Sequence, residues 1–426
     1  MNSHICSLAL VGLAWTFGLT RASAAAAAEA IQHVQLDSDG RFLVNGAAVF
    51  PVGYTSGPTL GALAPDGHDA LAVLKHEGYV FQLWYCQPGT WGPEREAMLD
   101  TLLEHSAKQG TRVVISIPDL QAIKPGDAAR LAELRRVVEK YRNHPALLFW
   151  KGQDEPQWGH IPAADLRIYY ETTHALDPHH PVWITQAPRG TVDDLRPYSA
   201  FFDIGAIDIY PVSYPPGEHS GIENKNLSVV GDYTRIIGDA TDHSKAIMMV
   251  LQICWSGVTK PGKTLRFPTF AEERYMAYQA IINGARALVF FGGNVRACWN
   301  DHDATFGWNW TFYERILRPV LDELRPESPV HPALIAPKSN LPVKAVGIAG
   351  LEFTVRESGD FLYILAAKRE GDTGKAAFSG LPAGIKRGEA LYEAPRTVEV
   401  VDGGFTDWFG PNEVHIYRFR RSPKER

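Results

Sequence analysis

Residues 127–156 read DAARLAELRRVVEKYRNHPALLFWKGQDEP, a helix signal followed directly by a strand signal. The first half is amphipathic at helical spacing, and the second half holds a continuous apolar run over residues 146–150. Asp154, Glu155 and Pro156 follow closely. Carboxylates at the end of a buried strand are costly unless they have a function. The stretch therefore predicts a helix–strand unit with a candidate site where the strand ends.

The same unit recurs along most of the chain. Between Val34 and Arg325, apolar runs such as VFQLWYC, RVVISIPDL and AIMMVLQICW alternate with amphipathic stretches. Nearly continuous apolar strands are typical of a parallel sheet that is covered on both faces by helices. Eight such strands with about eight helices favour an α/β fold of the (β/α)8 TIM-barrel type over an open sheet. No glycine-rich phosphate-binding fingerprint follows the first strand, which argues against a dinucleotide fold.

The pattern changes after Pro326. The stretch ESPVHPALIAPKSNLP is rich in proline, and beyond it short alternating strands such as GLEFTVRES, DFLYILAAKR and VHIYRFR are separated by turn residues. We therefore predict a catalytic barrel over residues 31–330 and a small, all-β antiparallel sandwich domain over residues 341–422.

The first residues have the composition of a secretory signal. An apolar stretch from Ile5 to Leu19 precedes Ala22-Ser23-Ala24, a small-x-small cleavage pattern. We expect a signal peptide over residues 1–24, with cleavage there or a few residues later; an uncleaved anchor is the alternative. No later segment is apolar over the length of a membrane span. The mature chain is therefore expected to be secreted or periplasmic, without membrane contact.

Charge and cysteine content narrow the class of partner. The chain has 426 residues and a net charge of -6, with no basic surface signal for nucleic acid. Cys86, Cys254 and Cys298 follow the predicted cleavage site, and no Cys-x-x-Cys or His-rich spacing indicates a metal or another cofactor. Cys254 and Cys298 are the better disulfide pair if their strands are adjacent, and buried free thiols are an equal alternative.

The residues at the predicted strand ends are biased towards one chemistry. In a TIM barrel the active site lies at the carboxyl ends of the strands. Aromatic rings there stack on the C–H faces of sugars, and amides and carboxylates bond sugar hydroxyls. Arg and Lys are almost absent from the predicted strand ends, which argues against an anionic substrate. We expect an oligo- or polysaccharide to contact Tyr54, Trp84, Asp154, Gln186, Tyr210, Gln252, Trp255, Asn294 and Asp301.

One strand end carries a family resemblance. The order Asn143-His144-Pro145, apolar strand, Asp154-Glu155-Pro156 resembles the fourth-strand signature of the large retaining clan of (β/α)8 glycoside hydrolases. The opening stretch VNGAAVFPVGYT is similar to the clan's entry into its first strand. The C-terminal stretch FTDWFGPNEVHIYRF is similar to the last strands of the β-sandwich that follows many sugar-hydrolase barrels. The resemblance covers nearly all of the mature chain, and it implies that Glu155 is a general acid/base.

Two departures from the clan affect the mechanism. Asp154 stands where the clan has Asn, and its charge is expected to raise the pKa of Glu155, which suits a general acid. Gln252 stands at the end of the seventh strand, where the clan has its nucleophilic Glu. No Asp or Glu lies between Asp242 and Glu272 to replace it. An amide cannot be a glycosyl nucleophile, so the clan's double displacement is not expected.

An inverting reaction needs only a second carboxylate that activates water, about 6.5–9.5 Å from the acid. Asp208, at the end of the sixth strand, is our first choice, with Asp301 and Asp303 behind it. Asp119 lies too near the fourth strand, and Asp154 should face away from Glu155 because adjacent strand residues point to opposite faces. His144 and the Asp301-His302-Asp303 run are read as structural, without a metal.

Three functions remain open. The first is a secreted glycoside hydrolase, inverting rather than retaining, with Glu155 as acid and Asp208 as base. The second is a non-catalytic glycan-binding protein on a degenerate glycosidase barrel, which the Gln at position 252 favours. The third is a hydrolase or lyase that applies the same acid to a non-glycosidic bond. Sugar, linkage, exo or endo action and oligomeric state are not encoded in any of these patterns.

Overall fold

The structure is a computed structural model that describes residues 33–213, 215–254 and 266–421. The predicted signal peptide lies outside these residues. An antiparallel sheet opens the described chain, with strands β1 (Val34–Leu36), β2 (Phe42–Val44) and β3 (Ala47–Val49). Asn45 and Gly46 join the last two with positive φ angles of 50° and 82°, the backbone that a tight hairpin turn needs.

Eight parallel strands close into a barrel, which confirms the predicted TIM-barrel class. Each strand pairs with its neighbours in sequence, and the last pairs with the first. The strands are β4 (Pro51–Tyr54), β5 (Tyr79–Tyr85), β6 (Arg112–Ser116), β7 (Leu147–Asp154), β8 (Val182–Gln186), β9 (Ile204–Asp208), β10 (Ala246–Gln252) and β11 (Ala287–Phe291).

Helices surround the barrel because each buries one apolar face. In the helix over residues 128–141, Asp127 caps the N-terminus by accepting from the backbone amide of Arg130, and Leu134, Val137 and Tyr141 face inwards. The helices are α1 (Ala70–Leu74), α2 (Pro93–Gln109), α3 (Ala128–Tyr141), α4 (Arg167–Leu176), α5 (Val192–Leu195), α6 (Val229–Ala240), α7 (Phe270–Ile282), α8 (Asp301–Phe306), α9 (Trp310–Phe312), α10 (Arg318–Leu324) and α11 (His331–Leu334). Further helical turns cover Lys75–Glu77, Pro118–Leu120, Ala163–Leu166, Arg196–Phe201, Arg296–Cys298 and Tyr313–Leu317.

The interior of the barrel is filled by large side chains. Phe81, Phe149 and Trp183 meet there at ring-centroid distances of 5.7 and 6.2 Å, with Met248 and Val289 beside them. The barrel is therefore a packed core, and free space is left only at its ends. None of the helices in the described ranges is both long and apolar enough to cross a membrane.

A β-sandwich follows the barrel, as predicted. One antiparallel sheet has the order β12-β15-β18 and the other β13-β14-β19-β16-β17. Phe378, Phe405 and Tyr417 fill the space between the sheets. The strands are β12 (Lys344–Val346), β13 (Leu351–Ser358), β14 (Phe361–Lys368), β15 (Gly374–Ser379), β16 (Arg387–Leu391), β17 (Thr397–Glu399), β18 (Phe405–Phe409) and β19 (Val414–Arg420).

The cysteines adopt the first of the two arrangements that the sequence left open. β10 and β11 are adjacent, and Cys254, which follows β10, forms a disulfide with Cys298 in the loop after β11. Cys86 is a buried free thiol. The disulfide ties together two loops at the carboxyl end of the barrel.

Candidate active site

A cavity of about 700 Å³ opens at the carboxyl ends of the barrel strands. Its wall combines aromatic rings, hydroxyl and amide groups and three carboxylates. Among the residues that line it are Gln82, Trp84, Tyr85, Lys151, Asp154, Glu155, Thr185, Asp208, Tyr210, His219, Phe291 and Asn294.

Glu155 enters this cavity through an unusual backbone conformation. Strand β7 ends at Asp154, and Glu155 has a φ angle of 44°, in the left-handed region that is costly for a residue with a side chain. Its amide donates to the Thr185 carbonyl over 2.8 Å, which holds this turn against β8. Such strain persists where surrounding contacts enforce it, and it is concentrated at functional sites.

Asp154 and Glu155 line the same cavity, contrary to the expectation that they face opposite ways. The pairing of β7 with β8 shifts register between Lys151 and Asp154, and the positive φ follows directly after it. Strict alternation holds only within a regular strand, so it does not apply across this irregular end.

Asp208 meets Glu155 across the mouth of the barrel. It ends β9 with 7% of its surface exposed, and its carboxyl lies close enough to Glu155 and to the Tyr210 hydroxyl to shift the pKa of both groups. Both carboxyl groups line the same cavity. The turn at Glu155 brings its side chain over the end of β9, which the sequence pattern did not reveal.

Burial and mutual repulsion shape the ionisation of this pair. Burial raises the pKa of Asp208 well above its usual range, and the charges of Glu155 and Asp154 add to that rise. Burial also raises the pKa of Glu155, as does the charge of Asp154, while contact with Asp208 and the charge of Lys151 oppose it. Carboxyls that interact this closely titrate as a pair, which holds one proton over a range of pH.

His219 is a third group at this point that sequence reasoning missed. Its ring stacks on Tyr210 at 4.5 Å, and its Nδ1 accepts from the Tyr210 amide over 3.2 Å. The Nε2 atom therefore carries the proton and lies 3.9 Å from Asp208 Oδ2. His219 lies in the long loop after β9, so a search for site residues at the ends of the strands could not find it.

Lys151 is the other group that sequence reasoning missed. It lines the cavity from below, with 2% of its surface exposed, and its Nζ lies 2.9 Å from Asp154 Oδ1. We expected almost no basic side chains in the site because the predicted strand ends hold almost none. Lys151 lies three residues before the end of β7, so a search restricted to the strand ends did not include it.

Four of the nine predicted substrate-binding residues line the cavity. Trp84 stands at one side against Trp91, and Tyr210 stacks on Phe291 at 5.2 Å on the other. Asp154 and Asn294 supply polar groups at the rim. Tyr85, which is 43% exposed, adds a ring next to Trp84.

Three predicted substrate residues have structural partners instead. Tyr54 is fully buried outside the cavity and donates to Glu77. Gln186 faces away from the barrel interior, and its Oε1 accepts from the Gln157 amide over 3.2 Å. Gln252 is 1% exposed, and its amide pairs with both backbone groups of Val212 at 2.8 and 3.0 Å. Trp255 lies outside the described residues.

The loop carboxylates do not reach the pair. Asp301 is exposed at the start of α8, and Asp303 is buried with its Oδ1 accepting from the Thr311 amide over 2.8 Å. Asp119 accepts from the Gly89 amide over 2.7 Å. None of these three is among the described residues that line the cavity.

The sequence also predicted a structural role for His144 and no metal at the Asp301-His302-Asp303 run. His144 lies before β7, and its Nδ1 accepts from the Ala146 amide over 3.2 Å, a structural contact. Across residues 33–213, 215–254 and 266–421 no group of three His, Cys, Asp or Glu side chains is arranged to hold a metal ion.

Comparison with known proteins identifies the fold. No family model and no curated protein sequence matches the chain. A solved structure described as a glycoside hydrolase is similar with a TM-score of 0.58, at 13% identity over 92% of this chain and 97% of its own. A glycoside hydrolase of family 5 from Bacteroides vulgatus ATCC 8482 gives 0.56, at 11% identity over 92% and 93%. An Anoxybacillus alpha-amylase gives 0.54, at 9% identity over 87% and 98%. At these identities the likeness establishes a shared fold and leaves the reaction to the site itself.

Proposed function

We propose that this chain is a secreted glycoside hydrolase in which Glu155 and Asp208 are the catalytic pair. The observation that carries the proposal is that these two carboxyl groups line one aromatic-walled cavity and affect each other's pKa. Two carboxyl groups that share one proton supply an acid and a base from a single pair.

The pair accounts for each proton of an inverting hydrolysis. Substrate binding moves the pair's proton from the more deeply buried Asp208 to Glu155, which gives it to the glycosidic oxygen as the C1–O bond breaks. Asp208, now ionised, takes a proton from the water that attacks C1. A bound sugar would draw the Glu155 side chain towards the glycosidic oxygen and open space for that water. After product leaves, Asp208 again holds the pair's single proton and Glu155 is ionised, which closes the cycle. Asp208 Oδ1 is buried and has no hydrogen-bond partner among the described residues, so a water admitted by this movement would satisfy it.

The rest of the cavity supports a sugar substrate. Trp84, Tyr85 and Tyr210 offer ring faces for stacking, and Gln82 and Asn294 offer amides that both donate and accept. The solved glycoside hydrolases of the same fold support the same class of substrate. The Cys254–Cys298 disulfide supports an oxidising compartment, in keeping with the proposed signal peptide.

The test compares Glu155→Gln and Asp208→Asn with the natural chain on a panel of oligo- and polysaccharides of different linkage. We expect each variant to lose at least about 100-fold in the release of reducing ends, with substrate binding retained. Glu171→Gln and Asp372→Asn, which change exposed carboxylates elsewhere, are matched controls that keep full turnover. NMR of the first-formed anomer distinguishes inversion from retention.

Other outcomes would replace the proposal. A natural chain that binds glycans and turns over none of the panel would establish the glycan-binding protein that Gln252 favours. Cleavage without a new reducing end would indicate a hydrolase or lyase on another bond. Full activity in Glu155→Gln would contradict the proposed acid directly.

A further inference from the structure

We propose that Lys151 is a positioning residue of this site, whose ammonium cancels the charge of Asp154 and so lets the Glu155–Asp208 pair keep a single transferable proton. The catalytic part of this inference rests on the proposed function, and its electrostatic part stands on the geometry alone.

Lys151 lies where a cation is otherwise disfavoured. It faces the barrel interior, as Phe149 does one layer below, and its Nζ stands 5.2 Å from the centroid of the Trp183 ring. Nζ donates to Asp154 Oδ1 over 2.9 Å and to the Gly152 carbonyl over 3.3 Å. A buried ammonium is costly unless it is paired, so this position calls for a compensating role.

The neighbourhood supplies that role. Three carboxyl groups, those of Asp154, Glu155 and Asp208, line one small cavity. Lys151 is the single Lys or Arg among the described residues that line it. Without a cation, the three carboxylates would hold more than one proton between them at neutral pH, because like charges at short range resist joint ionisation.

The remaining ionisable groups around Lys151 do not supply the same compensation. Arg189 acts on Glu155 from the rim, where its guanidinium is engaged by the carbonyls of Pro188 and His219. His219 is held with a neutral, acceptor Nδ1. Burial raises the pKa of both Tyr85 and Tyr210, so these hydroxyls stay neutral. Lys151 is therefore the group placed to balance Asp154.

Charge-changing variants give the proposal a definite sign. In Lys151→Met the pair loses a stabilising cation, its proton affinity rises, and both limbs of the pH–rate profile move to higher pH, by on the order of one pH unit. In Asp154→Asn the pair loses a repelling anion, and both limbs move to lower pH. In the double variant the two shifts cancel. Lys151→Arg keeps the charge, so its limbs stay in place even where its rate falls.

The double variant also protects the test from misfolding. Lys151→Met alone leaves Asp154 without its partner, whereas Lys151→Met with Asp154→Asn leaves no unpaired charge. If Lys151 were only a structural residue, the double variant would show the same acidic shift as Asp154→Asn alone. That result would overturn the proposal.

A second measurement does not depend on turnover. Infrared difference spectra of the full chain follow the carbonyl stretch of protonated carboxyl groups with pH, and the Glu155→Gln, Asp208→Asn double variant identifies the share that belongs to the pair. We expect the pair's signal to persist to higher pH in Lys151→Met and to be lost at lower pH in Asp154→Asn. If the chain hydrolyses no glycan but these shifts occur, the proposed function fails and the role of Lys151 stands. If hydrolysis occurs but the signal does not move, the role of Lys151 fails.

Discussion

Gln252 ends the seventh barrel strand, β10, and the structure gives its side chain a structural use. Its amide accepts from the Val212 amide and donates to the Val212 carbonyl, so one residue of β10 holds the loop after β9 in place. That loop begins with Tyr210, whose ring lines the cavity. A carboxylate at position 252 could accept from the Val212 amide, but it has no proton to donate to the Val212 carbonyl.

We therefore expect Gln252→Glu to destabilise the protein and not to create a retaining enzyme. A buried carboxylate facing the Val212 carbonyl leaves that acceptor unsatisfied, at a cost of about 1–3 kcal/mol in the free energy of unfolding. Chemical denaturation measures the cost, with the exposed Gln35→Glu as the control. Equal stability of the two variants, or a product that keeps its anomeric configuration, would contradict this explanation.

At the scale of elements, a buried carboxyl joins the first barrel strand to the helical turn after α1. Tyr54 of β4 donates to Glu77, and the Tyr313 hydroxyl lies beside the same carboxyl. Burial raises the pKa of Glu77 from its ordinary 4.5 to about 8. The unfolded chain ionises near 4.5 and the folded one only near 8, so Glu77 contributes stability below pH 4.5 that is lost as pH rises to 8.

Glu77→Gln keeps a neutral side chain of the same shape and should remove this pH dependence. Relative to the natural chain, the variant should gain stability steadily between pH 5 and pH 8, at up to about 1.4 kcal/mol per pH unit. Thermal or urea unfolding at several pH values measures the difference, and the exposed Glu139→Gln is the matched control. Parallel stability curves for the natural chain and the variant would show that Glu77 titrates normally.

The elements also show which parts of the site the sequence could reveal. The apolar runs identified all eight barrel strands, because strands buried on both faces leave a continuous signal, and they placed Glu155, Asp208 and Tyr210 at strand ends. Side-chain direction was less accessible. Tyr54 and Gln186 end strands, but their side chains face away from the cavity. The turn at Glu155 places its side chain on the same side as that of Asp154, although adjacent strand residues normally alternate. His219 lies in a loop, where no periodic pattern indicates which side chains face the site.

At the scale of the molecule, the sandwich is part of the same body as the barrel. Tyr363 and Ile416 of the sandwich pack with Tyr275 and Met276 of α7 in one apolar cluster. A polar network crosses the same boundary. Arg369 makes a bidentate pair with Asp232 of α6 at 2.8 and 2.9 Å. A continuous apolar core with partly buried ion pairs favours a single cooperative unfolding transition for both domains.

Arg369→Met tests this coupling. The Asp232 carboxylate is about four-fifths buried and keeps Arg235 and Asn224 as partners, so the expected loss is on the order of 1 kcal/mol in the free energy of unfolding. Burial opposes ionisation of Asp232, but the bonds from Arg369 and the charges of both arginines lower its pKa. The ion pair therefore stabilises the fold at pH values above the ordinary Asp pKa, and this stabilisation disappears as the pH falls through the lowered pKa of Asp232.

Calorimetry should show one unfolding transition in both proteins. Its midpoint temperature should be lower in Arg369→Met at neutral pH, and the two midpoints should converge at acidic pH. The midpoint of the exposed control Arg387→Met should not change. Two separate transitions in the natural chain would mean that the sandwich folds independently and that this interface does not couple it to the barrel.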